Sequence, residues 1–242
     1  MKLYQPVKYL QISNLVICLF IILLTINTLK RMKKFFILLM TMAGLSTTIN
    51  AQVTIDETNF PDPKFRSYLR AQDYGRDGII TAEEIEGIEV INTISYRNIS
   101  DLTGISFFTS LKNLLCFDNA LTSLDLSNCP NLEELSCYNN QLVSLNLSNC
   151  PKLWMLDCVD NQLTSLDLSK CPELDRVYCL NNQLNDQAMF DMVISLPDRS
   201  ETNAGVLRAV DLTHGYEKNV CTTTTVGVAR ALNWYVHALI SN

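Results

Sequence analysis

The chain has 242 residues, 48% of them hydrophobic, which is enough for one or two domains with a buried core. Six of the 19 basic residues and none of the 25 acidic ones lie in residues 1–51, so the rest of the chain has 13 basic and 25 acidic residues and a net charge of −12. This acidic body argues against nucleic-acid binding, which requires clustered positive charge.

Two apolar stretches at the N-terminus indicate export. The first, Ile12–Leu29, is about the length of a membrane span. The second follows Met32 and Lys33–Lys34 and ends at the small residue Ala51, before Gln52, which is the pattern of a cleaved secretory signal.

Two such segments in tandem are unusual, so we expect only the second to function as an export signal. Residues 1–31 are then an extension upstream of the true translation start, and residues 32–51 are the signal peptide. The alternative is a true membrane anchor in the first apolar stretch. The main prediction is a secreted or cell-surface protein with no role for the membrane beyond export.

Residues 52–90 are predicted to form a helical N-terminal cap. Phe65, Tyr68 and Leu69 have helical spacing and would cover the end of the array that follows. The next segment fits an EF-hand loop, in which a single calcium ion would be bound by Asp73, Asp77, the carbonyl of Ile79, Thr81 and Glu84. The third loop position is glycine and supplies no side-chain ligand. The alternative is an ordinary helix start, with a capping box made by the threonine and the glutamate.

Residues 91–184 contain an internal repeat of 21 residues. Three copies align without gaps, Leu111–Asn131, Leu132–Lys152 and Leu153–Glu173, and a fourth runs from Leu174 to about Leu184. Their consensus is L-x-x-L-x-C-x-x-N-x-L-x-S-L-x-L-S-x-C-P-x, with a weaker coil before it. This pattern closely resembles a leucine-rich repeat, with cysteine in place of a leucine.

The repeat predicts a solenoid. The first part of each copy has strand periodicity, and stacked copies would place these strands side by side in a parallel sheet on the concave face. One asparagine per copy turns the chain and can bond the backbone groups that the turn leaves free. These residues are Asn119, Asn140, Asn161 and Asn182.

Cysteines recur at two places in the repeat and predict two buried columns. Cys116, Cys137, Cys158 and Cys179 form the first column, and Cys129, Cys150 and Cys171 form the second. Export would normally suggest disulfides. However, adjacent strands hold parallel Cβ atoms about 4.8 Å apart, whereas a disulfide needs about 3.8 Å. Free thiols that act as small apolar fillers are therefore the main prediction.

The two-cysteine repeat resembles the cysteine-ladder repeats of internalin-like bacterial surface proteins. The resemblance covers about residues 91–184, and the flanking sequences "FPDPKFRSYL", "DYGRDGIITAEEI" and "SLPDR" fit the same family. It implies surface adhesion and protein binding. Proteins of this family often carry a further retention module, and none is evident after the repeats.

Residues 185–242 are predicted to form a C-terminal α/β cap. A helix should begin near Asn185, "GVLRAVDLT" should form a strand, and a last helix or helix and strand should follow. The predicted fold class is therefore an α+β solenoid of leucine-rich repeats between two caps.

The predicted binding site is an apolar stripe on the concave face. Five places of each repeat point away from the core there, and they carry apolar and aromatic side chains that an exposed parallel face does not need. Such patches usually mark protein partners. The stripe consists of Leu115, Phe117, Tyr138, Trp154, Met155, Val159, Tyr178 and Leu180. Acidic residues around it suggest a basic partner surface.

We therefore expect a protein-binding or adhesion module rather than an enzyme. The two histidines, His214 and His237, lie in no recognised acid–base motif, and no nucleotide-binding or hydrolase motif is present. No cofactor is required. The partner would be a host extracellular protein or a component of the cell's own surface. Alternatives are a structural element of the cell surface, or a thiol or metal sensor that uses the cysteine columns.

Overall fold

The computed structural model describes residues 52–92, 94, 97–211 and 217–239. The predicted signal peptide, the segment before it and His214 lie outside the described residues. Strand β1 (Val53–Thr54) is followed by helix α1 (Pro63–Ala71), strand β2 (Ile79–Ile80) and helix α2 (Ala82–Gly87). Strands β1 and β2 pair antiparallel.

Helix α1 is fixed by its cap and by its buried face. The Asp62 side chain accepts hydrogen bonds from the first turn of the helix and also from the backbone and hydroxyl of Ser100, which joins the helix to the first coil. Phe65, Tyr68 and Leu69 are all buried, as their spacing predicted.

The repeats form a parallel sheet with short strands. The strands are β3 (Val90–Ile91), β4 (Asn113–Leu115), β5 (Ser123–Asp125), β6 (Glu134–Ser136), β7 (Ser144–Asn146), β8 (Met155–Asp157) and β9 (Arg176–Tyr178). Strands β3, β4, β6, β8 and β9 lie side by side in this order, and from β4 to β9 each is shifted by one 21-residue repeat from the one before. Strands β5 and β7 pair with each other in a separate sheet. The predicted solenoid is confirmed.

The sheet continues beyond the last repeat. Helix α3 (Asp186–Ile194) begins after Asn185, as predicted, and is followed by strand β10 (Gly205–Asp211), helix α4 (Thr223–Ala231) and strand β11 (Trp234–Leu239). Strand β10 pairs in parallel with both β9 and β11, so the complete sheet has seven strands in the order β11-β10-β9-β8-β6-β4-β3.

The asparagine column joins each coil to the one before it. The amide oxygen of Asn140 accepts a hydrogen bond from the Leu121 backbone N–H at 3.0 Å, and its amide nitrogen donates to the carbonyls of Cys116 and Cys137 at 3.1 Å each. Asn119, Asn161 and Asn182 repeat this pattern. These amides satisfy buried backbone groups that no strand partner reaches.

Two residues after the repeats complete this network. Asn219 is buried, accepts the backbone N–H of Leu184 and donates to the carbonyl of Cys179, as the next asparagine of the column would, although it lies 37 residues after Asn182. The Glu217 carboxylate accepts the backbone N–H of Asn181 at 2.9 Å. In the preceding coil the equivalent N–H, that of Asp160, donates to the Leu180 carbonyl. Glu217 therefore replaces a carbonyl that a further coil would have supplied.

Candidate binding face

The seven-stranded sheet has one buried side and one side that faces solvent, which we call the strand face. In the repeat strands the central residue and the cysteine two places later are fully buried, as with Leu135 and Cys137. The residues on either side of the central leucine alternate with it and belong to the strand face. The strand pairing fixes their columns, because Glu134 lies opposite Met155 and Ser136 lies opposite Asp157.

The structure brings the predicted stripe together on this face. All eight predicted partner-binding residues are neither fully buried nor fully exposed. Phe117 and Tyr138 occupy the same repeat position in successive coils, and their rings stack with centroids 4.6 Å apart and planes 5° from parallel. The residues at this position in the next two coils are Val159 and Leu180. The stripe is thus a row of half-buried side chains held in fixed order by the repeat.

Arginines lie over two aromatic rings of the stripe. The guanidinium carbon of Arg176 is 5.5 Å from the centre of the Trp154 ring, and that of Arg208 is 5.0 Å from the centre of the Tyr178 ring. Both distances fall within the range of a cation–π interaction. Neither arginine is among the residues that the sequence predicted for this face. Arg208 lies in β10, outside the repeat, and only the pairing of that strand with β9 places it opposite Tyr178.

The carboxylates around the stripe differ in how far they are neutralised. Asp175 is paired with Arg199 at 2.8 Å and lies 3.6 Å from Arg176, so it contributes little free negative charge. Glu134 accepts a hydrogen bond from Asn113 at 2.8 Å. The other acidic side chains around the stripe lie in or beside β4, β6 and β8, and they are Asp118, Glu133, Asp157 and Asp160.

Asp157 is an acid of this group whose pKa is shifted by its surroundings. It lies in β8 on the strand face and is partly buried, and burial raises the pKa of its carboxyl above the usual 3.8, with the nearby charge of Asp160 acting in the same direction. The backbone N–H of Val159 donates to it at 3.3 Å and opposes this effect only in part. An ionised carboxylate held at a cost to stability is typical of a functional surface.

A polar border follows the stripe along the sheet. Phe117, Tyr138, Val159 and Leu180 are each followed by a residue with a positive φ of 50–54°. These residues are Asp118, Asn139, Asp160 and Asn181. Aspartate and asparagine tolerate this left-handed conformation better than most residues. The Asn139 side chain donates to Asp118, and Asn181 donates to Asp160 at 2.5 Å. These pairs fix the turn through which each strand leaves the face.

The predicted calcium loop is occupied by protein contacts in the structure. The Glu84 carboxylate accepts the backbone N–H of Thr81 at 2.8 Å, and the Thr81 hydroxyl accepts the N–H of Glu84, which completes a capping box. Asp73 pairs with Arg76 at 2.6 Å, and Asp77 accepts the N–H of Ile79. Each of these side chains thus has a partner within the protein, and calcium binding stays a prediction that a binding experiment tests.

The two cysteine columns are present and fully buried. Burial raises the pKa of the Cys116 thiol to about 12 and that of Cys129 to about 11, so neither is reactive at neutral pH. In the second column, the thiol of Cys150 donates to the Leu126 carbonyl of the previous coil at 3.5 Å. The eight cysteines that the structure describes are free, and only Cys221, outside the columns, is partly exposed.

The described residues give no support to a metal centre or a membrane span. No group of three or more His, Cys, Asp or Glu side chains in that part of the chain could hold a metal ion. Across the same ranges, every helix is too short or too polar to cross a bilayer. The side chain of His237 lies outside the described residues.

Structural comparison finds internalins as neighbours. The functional domain of InlJ from Listeria monocytogenes, described as including a cysteine ladder, has 30% sequence identity and a TM-score of 0.52, and the match covers 61% of this chain and 32% of that chain. An internalin, InlF, from the same species has 18% identity and a TM-score of 0.46, over 79% of this chain and 59% of that chain. The chain thus spans about a third of the InlJ structure. No family model and no curated protein matches the sequence.

The resemblance to internalin-like cysteine-ladder repeats is confirmed. The InlJ match and the buried cysteine columns agree on both the solenoid and the ladder. The sequence pattern of two cysteines in every 21 residues had already indicated it.

Proposed function

We propose that the protein is a secreted or surface-exposed binding module that holds a protein partner on its strand face. The observation that carries this proposal is the row of half-buried aromatic and apolar side chains on the strand face. The fold does not require apolar side chains on this face, so their presence indicates a partner. Trp and Tyr supply much of the binding energy at protein interfaces, and both occur in this row. The partner is a protein of a host or of the producing cell's own surface.

The flanking segments act in this proposal as caps. Helix α1 covers one end of the core with Phe65, Tyr68 and Leu69, and helix α3 buries Met189, Met192 and Val193 at the other. A solenoid needs such covers because its terminal coils otherwise expose the core and an unpaired strand. If calcium binds, it braces the N-terminal cap and does not touch the strand face.

The alternative functions require different properties of the strand face and of the cysteines. A purely structural element of the cell surface would need no aromatic row on the strand face. A thiol sensor would need reactive cysteines, whereas burial raises the pKa of Cys137 and Cys158 far above the usual value. Titration of the native protein with a thiol reagent separates the sensor from the binding module. Of the eight cysteines that the structure describes, we expect only Cys221 to react before unfolding.

The proposal is tested by removing the aromatic row. The triple variant Tyr138→Ala, Trp154→Ala and Tyr178→Ala should keep the circular dichroism spectrum of the parent and lose capture of the partner. The matched control is Val143→Ala with Ile194→Ala, two exposed apolar residues, 51% and 53% exposed, outside the strand face. The control should bind like the parent.

Partner capture compares host extracellular proteins with proteins of the producing cell's own surface. Equal capture by the parent and the folded triple variant would exclude the strand face as the binding site. Loss of binding in the control variant would place the site elsewhere on the solenoid.

A further inference from the structure

The strand face carries charges of opposite sign in its two halves. Glu133 and Glu134 belong to the β6 strand region, and Asp157 lies in the next strand of the sheet, β8. Arg176 and Arg208 lie on the two strands after that, β9 and β10. The sheet order therefore fixes an acidic part followed by a basic part.

The two arginines form a pair across neighbouring strands. Strand pairing places Arg176 opposite Val206 and Tyr178 opposite Arg208, so the arginines lie on a diagonal of the same face. Each guanidinium lies over the ring of an aromatic residue, Trp154 or Tyr178. Stacking leaves the N–H groups at the edge of a guanidinium plane available for an oxygen ligand, and a guanidinium matches a carboxylate with two parallel hydrogen bonds.

The protein's own carboxylates neutralise this pair only in part. Asp175 forms ion pairs with Arg199, at 2.8 Å, and with the Nε atom of Arg176, at 3.6 Å, so two guanidinium groups share one carboxylate. Arg199 is the more buried arginine and also donates to the Leu174 carbonyl, so it holds Asp175 in place. Within the described part of the chain, no carboxylate pairs with Arg208. The strand face of an acidic protein thus keeps a local positive site.

We propose that Arg176 and Arg208 bind an acidic segment of the protein partner, which lies across β9 and β10 with its carboxylates on the two guanidinium groups. This inference rests on the proposed function and adds the chemistry of the partner. The aromatic row supplies the apolar contact. Glu133, Glu134 and Asp157 repel the acidic segment from the other half of the face and lie against the basic part of the partner surface that the sequence predicts. The partner therefore binds in one direction along the sheet.

The test is selection of peptides of random sequence displayed on phage, with the exported protein as the target. The parent should enrich peptides that contain Asp and Glu, and the double variant R176E/R208E should lose this enrichment. The control K152E/K170E changes two exposed lysines outside the strand face by the same charge and should select like the parent. For one selected acidic peptide, Arg208→Gln alone should weaken binding by about tenfold or more.

Each outcome decides between the proposals. Selected peptides without an acidic excess that still depend on Tyr138 would overturn this inference and leave the proposed function intact. Peptides that bind equally well to R176E/R208E and to the triple aromatic variant would overturn both, as would a selection that enriches nothing. A heparin fragment that binds through the arginines where no acidic peptide is selected would assign the site to a sulfated glycan and overturn the inference.

Discussion

Removal of one side chain of the asparagine column, by Asn161→Ala, should destabilise the protein by about 2–4 kcal/mol. The Asn161 side chain is 7% exposed. Its oxygen accepts the Leu142 backbone N–H at 2.9 Å, and its nitrogen donates to the carbonyls of Cys137, Cys158 and Val159 at 3.0, 3.1 and 3.2 Å. The substitution therefore removes four hydrogen bonds at once.

The structure shows which of these groups would be left without a partner. The Cys137 carbonyl also accepts from Asn140, and the Cys158 carbonyl also accepts from Asn182, so each keeps one hydrogen bond. The buried N–H of Leu142 loses its acceptor. One orphaned buried donor costs about 1–3 kcal/mol, and the missing amide leaves a small cavity that adds to it.

Urea denaturation followed by circular dichroism measures this change. We expect a lower midpoint for Asn161→Ala with an unchanged slope, because the surface exposed on unfolding is the same. The matched control is Asn149→Ala, whose exposed side chain makes a single hydrogen bond to the Ser127 carbonyl and should cost less than about 0.5 kcal/mol. Equal stabilities for the two variants would refute the role of the asparagine column.

Three further predictions concern the cysteines, the calcium loop and Asp157. Cys137→Ser should cost about 1–3 kcal/mol because its hydroxyl would lie in an apolar wall, while reductant should leave the melting temperature of the parent unchanged; a large fall with reductant would mean disulfides. Millimolar calcium should raise the melting temperature by mass action if the loop binds it, and Asp77→Ala should abolish the rise; no rise in the parent would favour the capping box alone. Asp157→Asn should raise the free energy of unfolding at about pH 7 and not at about pH 3. The pKa of Asp157 is raised in the folded state, so its ionised form opposes folding, and this penalty disappears once the carboxyl is protonated in both the folded and the unfolded state. Equal gains at both pH values would contradict this assignment.

The repeat part of the fold could be predicted because its sequence period is the period of the structure. Each leucine and cysteine recurs at the same place in every coil, so one alignment places Leu135, Cys137 and Asn140 and all their equivalents. The helix after Asn185 and the helix that contains Phe65 were also predictable, because capping residues and apolar spacing are local signals.

The positions of some residues could not be predicted from the sequence, because they depend on contacts that do not repeat from coil to coil. Asn219 completes the asparagine column from a segment with a different spacing, and Glu217 satisfies the backbone of a distant turn. Arg208 belongs to the strand face only because β10 pairs with β9. A periodic pattern contains no information about such long-range pairings, so Arg208 could not be predicted. Arg176 holds the same place of the repeat as Met155, and the alignment alone could have placed it on the strand face.

The strand face as the binding surface is tested most directly by hydroxyl-radical footprinting of the protein with and without its captured partner. Tyr138, Trp154 and Tyr178 should lose reactivity in the complex, whereas Val143, on the opposite side of its coil, should react equally in both states. Protection of Val143 with unchanged reactivity of the three aromatic residues would contradict the account.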